Sequence, residues 1–511
     1  MRLSWVMGLL TLLCGFQSAS AYGQVVATWT GGNGNWSNAA NWNSNPSAPI
    51  NPGDSATIAT PGSSVTYDIP YASINSLNLG ATDSLSIKTA DSLQAESTVN
   101  SGVLANNGAY SIGGSGSGFY NYGTLLNASG GTFENSNILY NYGRFTNSGQ
   151  IVSYGQIQNF GTVTNYGTYA YIGSGSFLNY GTLANYGQFD FNNGFENLSG
   201  ATLTNYGTVT DTQFLDHGSN SGTFNNVGTF TSTADDPFRN SGTINNIGTI
   251  NNFLDPSTPG GVATINNTGT INNSGTINNM GTINNTSGAI LLNFGTLTSA
   301  GAINNSGAFA NSGAVTISNS GLFTTSTNYT QTSGSTLVNG TLTATGGAIV
   351  NIQGGTLGGT GTITGNVTMG GTVTPGSPGT PGTLTIVGNY EQLANGTLEE
   401  LIGPVSHSSL NVIGGVALDP GASLDIALLN GYDPLGQSFD IMNYNSLVGQ
   451  FSNGSSFWDD GYLWDVSYGQ NQIDVKAVQM PEPSSLSMLL IGLAVLAFCA
   501  HRSRVKTQHL S

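Results

Sequence analysis

NYGRFTNSGQIVSYGQIQNFGTVTNYGT, residues 141–168, carries a glycine at every sixth position: Gly143, Gly149, Gly155, Gly161 and Gly167. The spacing returns in NTGTINNSGTINNMGTINN, residues 267–285, at Gly269, Gly275 and Gly281, then at Gly301, Gly307 and Gly313. Pairs such as Gly181 with Gly187 and Gly242 with Gly248 repeat it elsewhere. So short a fixed period asks for a stacked repeat before any globular fold. Each hexad reads Gly-Thr-φ-x-Asn-x, where φ is Ile, Leu, Val or Phe. Thr-φ-x is a short extended segment with its apolar side chain on one face and Thr on the other. A helix is excluded, because a Gly in each hexad costs about 1 kcal/mol. Gly and Asn tolerate left-handed backbone angles and are expected to turn the chain at the corners. Three sides then make a coil of about 18 residues with φ stacked inside. About 270 repetitive residues, stacked at the strand spacing of about 4.8 Å, form a rod near 70 Å long. The expected fold class is all-β: an elongated β-solenoid.

Stacking also accounts for the Asn. An inward or corner Asn satisfies buried backbone groups and bonds to its equivalent one coil above, forming a ladder. The residue before Gly is often aromatic, as at Tyr122, Tyr142, Tyr154, Phe160, Tyr166, Tyr180, Tyr186, Tyr206 and Phe294. The same position holds Val227, Ile247, Met280 and Ser274 elsewhere, as a partly buried packing site would. The rival reading is a row of exposed rings, with Tyr142, Tyr166, Tyr186 and Tyr206 as candidate ligand-facing residues for polysaccharide. Outward Thr and Asn, such as Thr276 with Asn278, make two parallel rows on a flat face. Such rows suit ice-like water as well as ordinary solvent, and Phe253-Leu254-Asp255-Pro256 is expected to interrupt them.

The whole chain of 511 residues has 74 Gly, and only 6% of its residues are Asp, Glu, Lys or Arg. At 38% hydrophobic, with 21 Tyr and 21 Phe, it has enough apolar material for a core, which argues against simple disorder. Its net charge is −17, and eight Lys and Arg cannot build the basic stripe that a phosphate backbone requires. Nucleic acid is not an expected partner.

The repeat is read as residues 101–373. Before it, residues 22–100 form an N-terminal region with TWTGGNGNWSNAANW at 28–42, followed by Gly53-Asp54-Ser55-Ala56. This stretch resembles the opening of autotransporter-like passengers. An end coil exposes an apolar cross-section, and Trp29, Trp36 and Trp42 are suited to cover it; a sugar-binding aromatic platform is the alternative. After it, residues 374–478 alternate clearly in Leu384-Thr385-Ile386-Val387 and Leu424-Asp425-Ile426-Ala427-Leu428, between turns marked by Pro-Gly and Asn-Gly. They resemble the C-terminal part of such passengers, and are expected to end the solenoid as a short-strand, sandwich-like β cap.

The two ends read as addresses. Residues 1–21 have Arg2, an apolar run and Ala19-Ser20-Ala21, as in a secretory signal peptide cut by signal peptidase before Tyr22. Cys14 follows Leu13, which is too large for a lipoprotein signal. At the other end Pro481-Glu482-Pro483 precedes an apolar run, 486–500, expected to be a single transmembrane helix, and then Arg502, Arg504 and Lys506. Fifteen residues reach only about 22 Å, short of a full bilayer core without help from their flanks. The bases place the tail in the cytoplasm and the body outside. The order of parts over 480–506 resembles the PEP-CTERM sorting signal, a segment also known as an ice-binding protein C-terminal domain. That resemblance implies an inner-membrane intermediate, processing near Pro481-Glu482-Pro483 by an exosortase, and release to the cell surface or into exopolysaccharide. Both Cys, at 14 and 499, lie in the end segments, so the body has none.

Nothing in the body marks a catalytic or metal site. His217 follows Asp216, but no Gly-x-Ser-x-Gly elbow accompanies the many Ser. Asp235-Asp236, Glu399-Glu400 and Asp459-Asp460 read as solvated loops, without calcium-loop spacing. No enzyme activity and no cofactor is expected. The expected role is an exported structural or adhesin-like protein; polysaccharide binding or degradation and ice binding are the alternatives.

Overall fold

In the computed structural model, residues 24–478 are described apart from 115, 172–174, 192–193, 213–217, 234–235 and 255–260, together with 493–498. One coil shows how the hexads fold. Ile138–Asn141, Arg144–Asn147 and Gln150–Ser153 are three four-residue strands joined by two-residue corners. Each pairs in parallel with its equivalent eighteen residues later, Gln156–Asn159, Thr162–Asn165 and Thr168–Tyr171. The result is a β-solenoid with three parallel walls. Arg144–Asn147 belongs to the first wall, Gln150–Ser153 to the second and Ile138–Asn141 to the third.

Within a strand the second and fourth residues face inward. Leu139, Phe145 and Ile151 are fully buried, and so are Asn141, Asn147 and Ser153 behind them. The apolar column is continuous with the core of the whole rod. Polar and apolar residues share the interior because every buried Asn is bonded. On the third wall each amide donates to the next, from Asn121 to Asn141 at 2.6 Å, to Asn159 at 2.7 Å and to Asn179 at 2.7 Å. A second column on the first wall runs from Asn127 through Asn147 to Asn165 and Asn185. The other amide hydrogen closes a corner, as in Asn147 Nδ2 to the Thr168 carbonyl at 3.2 Å. The expected ladder is present, and all its amides point the same way.

The glycines serve a different purpose from the expected one. None of the five in 141–168 has a positive φ. A Cβ on Gly161 would sit 2.1 Å from the carbonyl oxygen of Gly143, and one on Gly181 would sit 2.2 Å from that of Gly161. The corners of successive coils approach too closely for any side chain. Left-handed glycines occur instead in the wider four-residue corners, at Gly200 (φ 82°) and Gly288 (φ 83°).

Trp29, Trp36 and Trp42 are buried at the first coils, packed edge to face at 5.0 and 4.8 Å. Their ring N–H groups donate to the carbonyls of Gly32, Pro49 and Trp36. They are a cover, and the sugar-platform alternative is overturned by their burial. At the far end the solenoid continues through Ser423–Leu428 and Ser446–Val448 before the chain turns back. Ser438–Asn443 then pairs antiparallel with Gln472–Val478, and that strand with Tyr462–Tyr468. The cap is thus an antiparallel extension of one wall and not a sandwich.

The last second-wall strand is covered by side chains. Asn453 Oδ1, Asp459 Oδ2 and Asp460 Oδ2 accept hydrogen bonds from the N–H groups of Leu424, Ile426 and Leu428, at 2.8, 2.8 and 2.6 Å. This satisfies an edge that would otherwise lie open. The expected transmembrane helix over 486–500 is not borne out: only 493–498 are described there, in helical conformation, and no described helix is long and apolar enough to cross a membrane.

Candidate functional site

Three features of the rod's surface bear on function: its aromatic corners, its polar rows and a groove. Tyr142, Tyr166, Tyr186 and Tyr206 do not form one row. Tyr122, Tyr142, Phe160 and Tyr180 stack on the corner between third and first walls, at 5.1, 4.9 and 4.6 Å and within 10° of parallel. Tyr166, Tyr186 and Tyr206 stack on the corner between first and second walls, at 4.9 and 4.6 Å. The rings are about half exposed, from 40% for Phe160 to 56% for Tyr166. Their faces are turned to one another, so only edges and hydroxyls meet solvent along the stack. Sugar stacking uses a ring's face, which these rows keep for themselves.

The polar rows are longer than expected. On the first wall Thr162, Thr182, Thr202, Thr223, Thr243 and Thr270 stand in register on successive coils. On the second, Thr249 pairs with Thr276 across the segment containing Phe253-Leu254-Asp255-Pro256. The row keeps its register on either side of that segment. Outer Asn are bonded along the rod, as in Asn278 Nδ2 to Asn251 Oδ1 at 2.9 Å.

The long insertions share one corner. Between second and third walls the corner has two residues after Gln150–Ser153. It lengthens after Thr168–Tyr171, Gln188–Phe191, Thr208–Asp211, Thr229–Ser232 and Thr249–Asn252, and is short again after Thr276–Asn279. On the third wall, with its margin at the corner shared with the first wall, lies a groove of about 890 Å³. Its floor is one outward row, Ser219, Arg239, Asn266, Asn284 and Asn304, on successive coils. Ser221, Ser241, Thr268, Thr286 and Ser306 form its hydroxyl-bearing margin. None of the lining residues is a carboxylate.

Of the acidic pairs, Glu399-Glu400 departs from a solvated loop, and Asp459-Asp460 lies at a strand end and its turn. Glu399 and Glu400 lie on the strand Thr397–Ile402. Glu400 is fully buried, with neither carboxyl oxygen hydrogen-bonded among the described residues. Burial, then Asp440 and Glu399, push its carboxyl well above the usual carboxylate range. Asp459 and Asp460 hold the strand edge. Burial and the neighbouring Asp459 raise Asp425 to about 6. His407 packs on Phe439 at 5.4 Å with its Nε2 3.2 Å from the Asp440 carbonyl. Asp216, His217 and Asp235 lie outside the described residues, as do Ala19, Ala21, Tyr22, Pro481, Glu482, Pro483, Arg502, Arg504 and Lys506. Among the described residues no three His, Cys, Asp or Glu are grouped to hold a metal ion. The buried Glu400 and the shared insertion corner escaped the sequence reading; the loss of hexad phase after residue 171 was the only trace of the latter.

Residues 481–504 match the PEP-CTERM protein-sorting motif. The match covers the tail alone and leaves the body unassigned. No curated protein matches the chain. A solved structure, "Crystal structure of the Haemophilus influenzae Hap adhesin", aligns at 11% identity and a TM-score of 0.27 over 83% of this chain. The chain spans 64% of that structure's length. So weak a superposition says nothing of function.

Proposed function

We propose that the chain is an exported structural or adhesive rod, delivered to the cell surface or extracellular matrix by exosortase sorting. The observation that carries this reading is the sorting motif at 481–504, placed after a body whose polarity is almost entirely uncharged. A sorting motif implies recognition by an exosortase, with the inner membrane as a stage on the way. We read the role as non-catalytic: the third-wall groove offers hydroxyls, amides and one guanidinium, and Asp459 and Asp460 accept backbone N–H groups at the strand edge. Fractionation of cells, with mass spectrometry of the mature C-terminus, tests the reading. Release of a body ending near Pro481 is expected, and deletion of Pro481–Pro483 should trap the chain at the membrane. Normal release of the deletion variant overturns it.

A second reading, ordering of ice-like water, is favoured by the six-coil Thr row of the first wall. Thermal hysteresis of the purified chain decides it, and its absence removes the idea.

A further inference from the structure

We propose that the third-wall groove binds an acidic polysaccharide lying along the rod, with Arg239 pairing to its carboxylates. This deepens the matrix reading above and rests on it. Four observations converge. The groove runs across five coils, so its polar groups repeat along the axis as a polymer's do. Its floor and margin are hydroxyls and amides, the groups that hydrogen-bond sugar hydroxyls as donors and acceptors at once. Its outer Asn are already aligned: Asn284 Nδ2 donates to Asn266 Oδ1 at 2.7 Å, and Asn304 Nδ2 to Asn284 Oδ1 at 2.9 Å, fixing donors and acceptors in place before any ligand arrives.

The fourth observation is charge. From Phe238 to Tyr390 the sequence holds one base, Arg239, and one acid, Asp255. Along this row the next acid is Glu196, in register with Ser219 and so two strand spacings, about 9.6 Å, from Arg239, just beyond a screening length of about 8 Å. Asp236 precedes Arg239 in the chain and is not among the residues that line the groove. Arg239 is exposed, in register between Ser219 and Asn266, where every other floor residue is neutral. A neutral glucan has no use for a guanidinium here, whereas a uronate carboxyl meets its planar fork.

The test measures binding of the purified full chain to immobilised polygalacturonate and, in parallel, to neutral dextran. Binding to polygalacturonate that weakens with added salt is expected, with dextran much weaker. Arg239→Gln should lower polygalacturonate affinity about tenfold, the worth of one charge-assisted contact. Arg239→Lys should recover part of it, since charge returns without the fork. Arg144→Gln, on the first wall and away from the groove, should leave binding unchanged. Circular dichroism and melting of each variant establish that the fold is kept. Equal affinity of Arg239→Gln and the parent, or no preference for polygalacturonate over dextran, overturns the proposal. Fractionation is read separately: a chain found at the surface that ignores acidic polymers sinks the groove and leaves the sorting reading standing, whereas a chain that never leaves the membrane sinks the sorting reading whatever it binds.

Discussion

Asn147 donates its side-chain amide to the side-chain oxygen of Asn165 at 2.7 Å, in the dry interior, one coil apart. Removing Asn165 by substitution with Ala strands a donor on one side and leaves an Asn185 oxygen unmet on the other. Each buried unsatisfied group costs about 1–3 kcal/mol. Asn165→Ala should therefore loosen its own and adjacent coils by about 2–4 kcal/mol. Because a long repeat need not unfold as one unit, amide hydrogen exchange of those coils is the measurement. Asn245, bonded on the outer surface to Asn225 at 2.9 Å, is the comparison. Its Ala variant should cost less than about 1 kcal/mol, since water replaces the lost partner. Equal losses at both sites would deny the inner ladder its special weight.

A second prediction separates the two reasons for glycine. Gly161→Ala places a Cβ against the Gly143 carbonyl and should destabilise by about 1–3 kcal/mol through overpacking. Gly32 has no atom within 4 Å of a Cβ and no positive φ. Gly32→Ala should be neutral or stabilise by about 0.5 kcal/mol. A tolerant Gly161 would mean that the coils can part without cost.

The buried Glu400 makes stability depend on pH. Its folded pKa lies above the unfolded value of 4.5, so the unfolded chain loses its proton first and gains from every rise in pH. The contribution is whole below pH 4.5 and is lost as pH climbs toward the folded value. Asp425 has the same sign in a narrower window, from its ordinary 3.8 to about 6. Melting temperature should fall from pH 4 to pH 8, less steeply in Glu400→Gln. Asp425→Asn should flatten only the part below about pH 6. A Glu400→Gln profile parallel to the parent's would contradict the assignment.

Tyr186 lies between Tyr166 and Tyr206. Tyr186→Ala breaks two stacked contacts, each worth about 0.5–1.5 kcal/mol, so local protection should drop by about 1–3 kcal/mol. Polygalacturonate binding should not change. Lost binding with unaltered protection would return the aromatic corners to ligand contact.

The sequence announced the solenoid because its physical requirement recurs locally: one apolar side chain and one inward Asn in each four-residue strand. The Trp cover was legible for the same reason, as an end needs what the middle does not. The role of Gly161 was misread because left-handed backbone and close approach both select glycine, and only the distance to Gly143 tells them apart. The groove was hidden because its floor joins residues 20 and 27 apart, Ser219 with Arg239 and Arg239 with Asn266, after the insertions break the count. Glu400 was hidden by Glu399, since paired acids look like surface until the strand's alternation assigns them to opposite faces.

The clip made by Asn453, Asp459 and Asp460 has a consequence for how these molecules coexist. A stack of parallel strands with a bare final rung is a template for the next chain, and rods so made would grow into filaments. Here three side-chain oxygens occupy the places a further coil's carbonyls would take, while buried indoles close the opposite end. On the second wall the clip blocks end-to-end strand pairing between molecules.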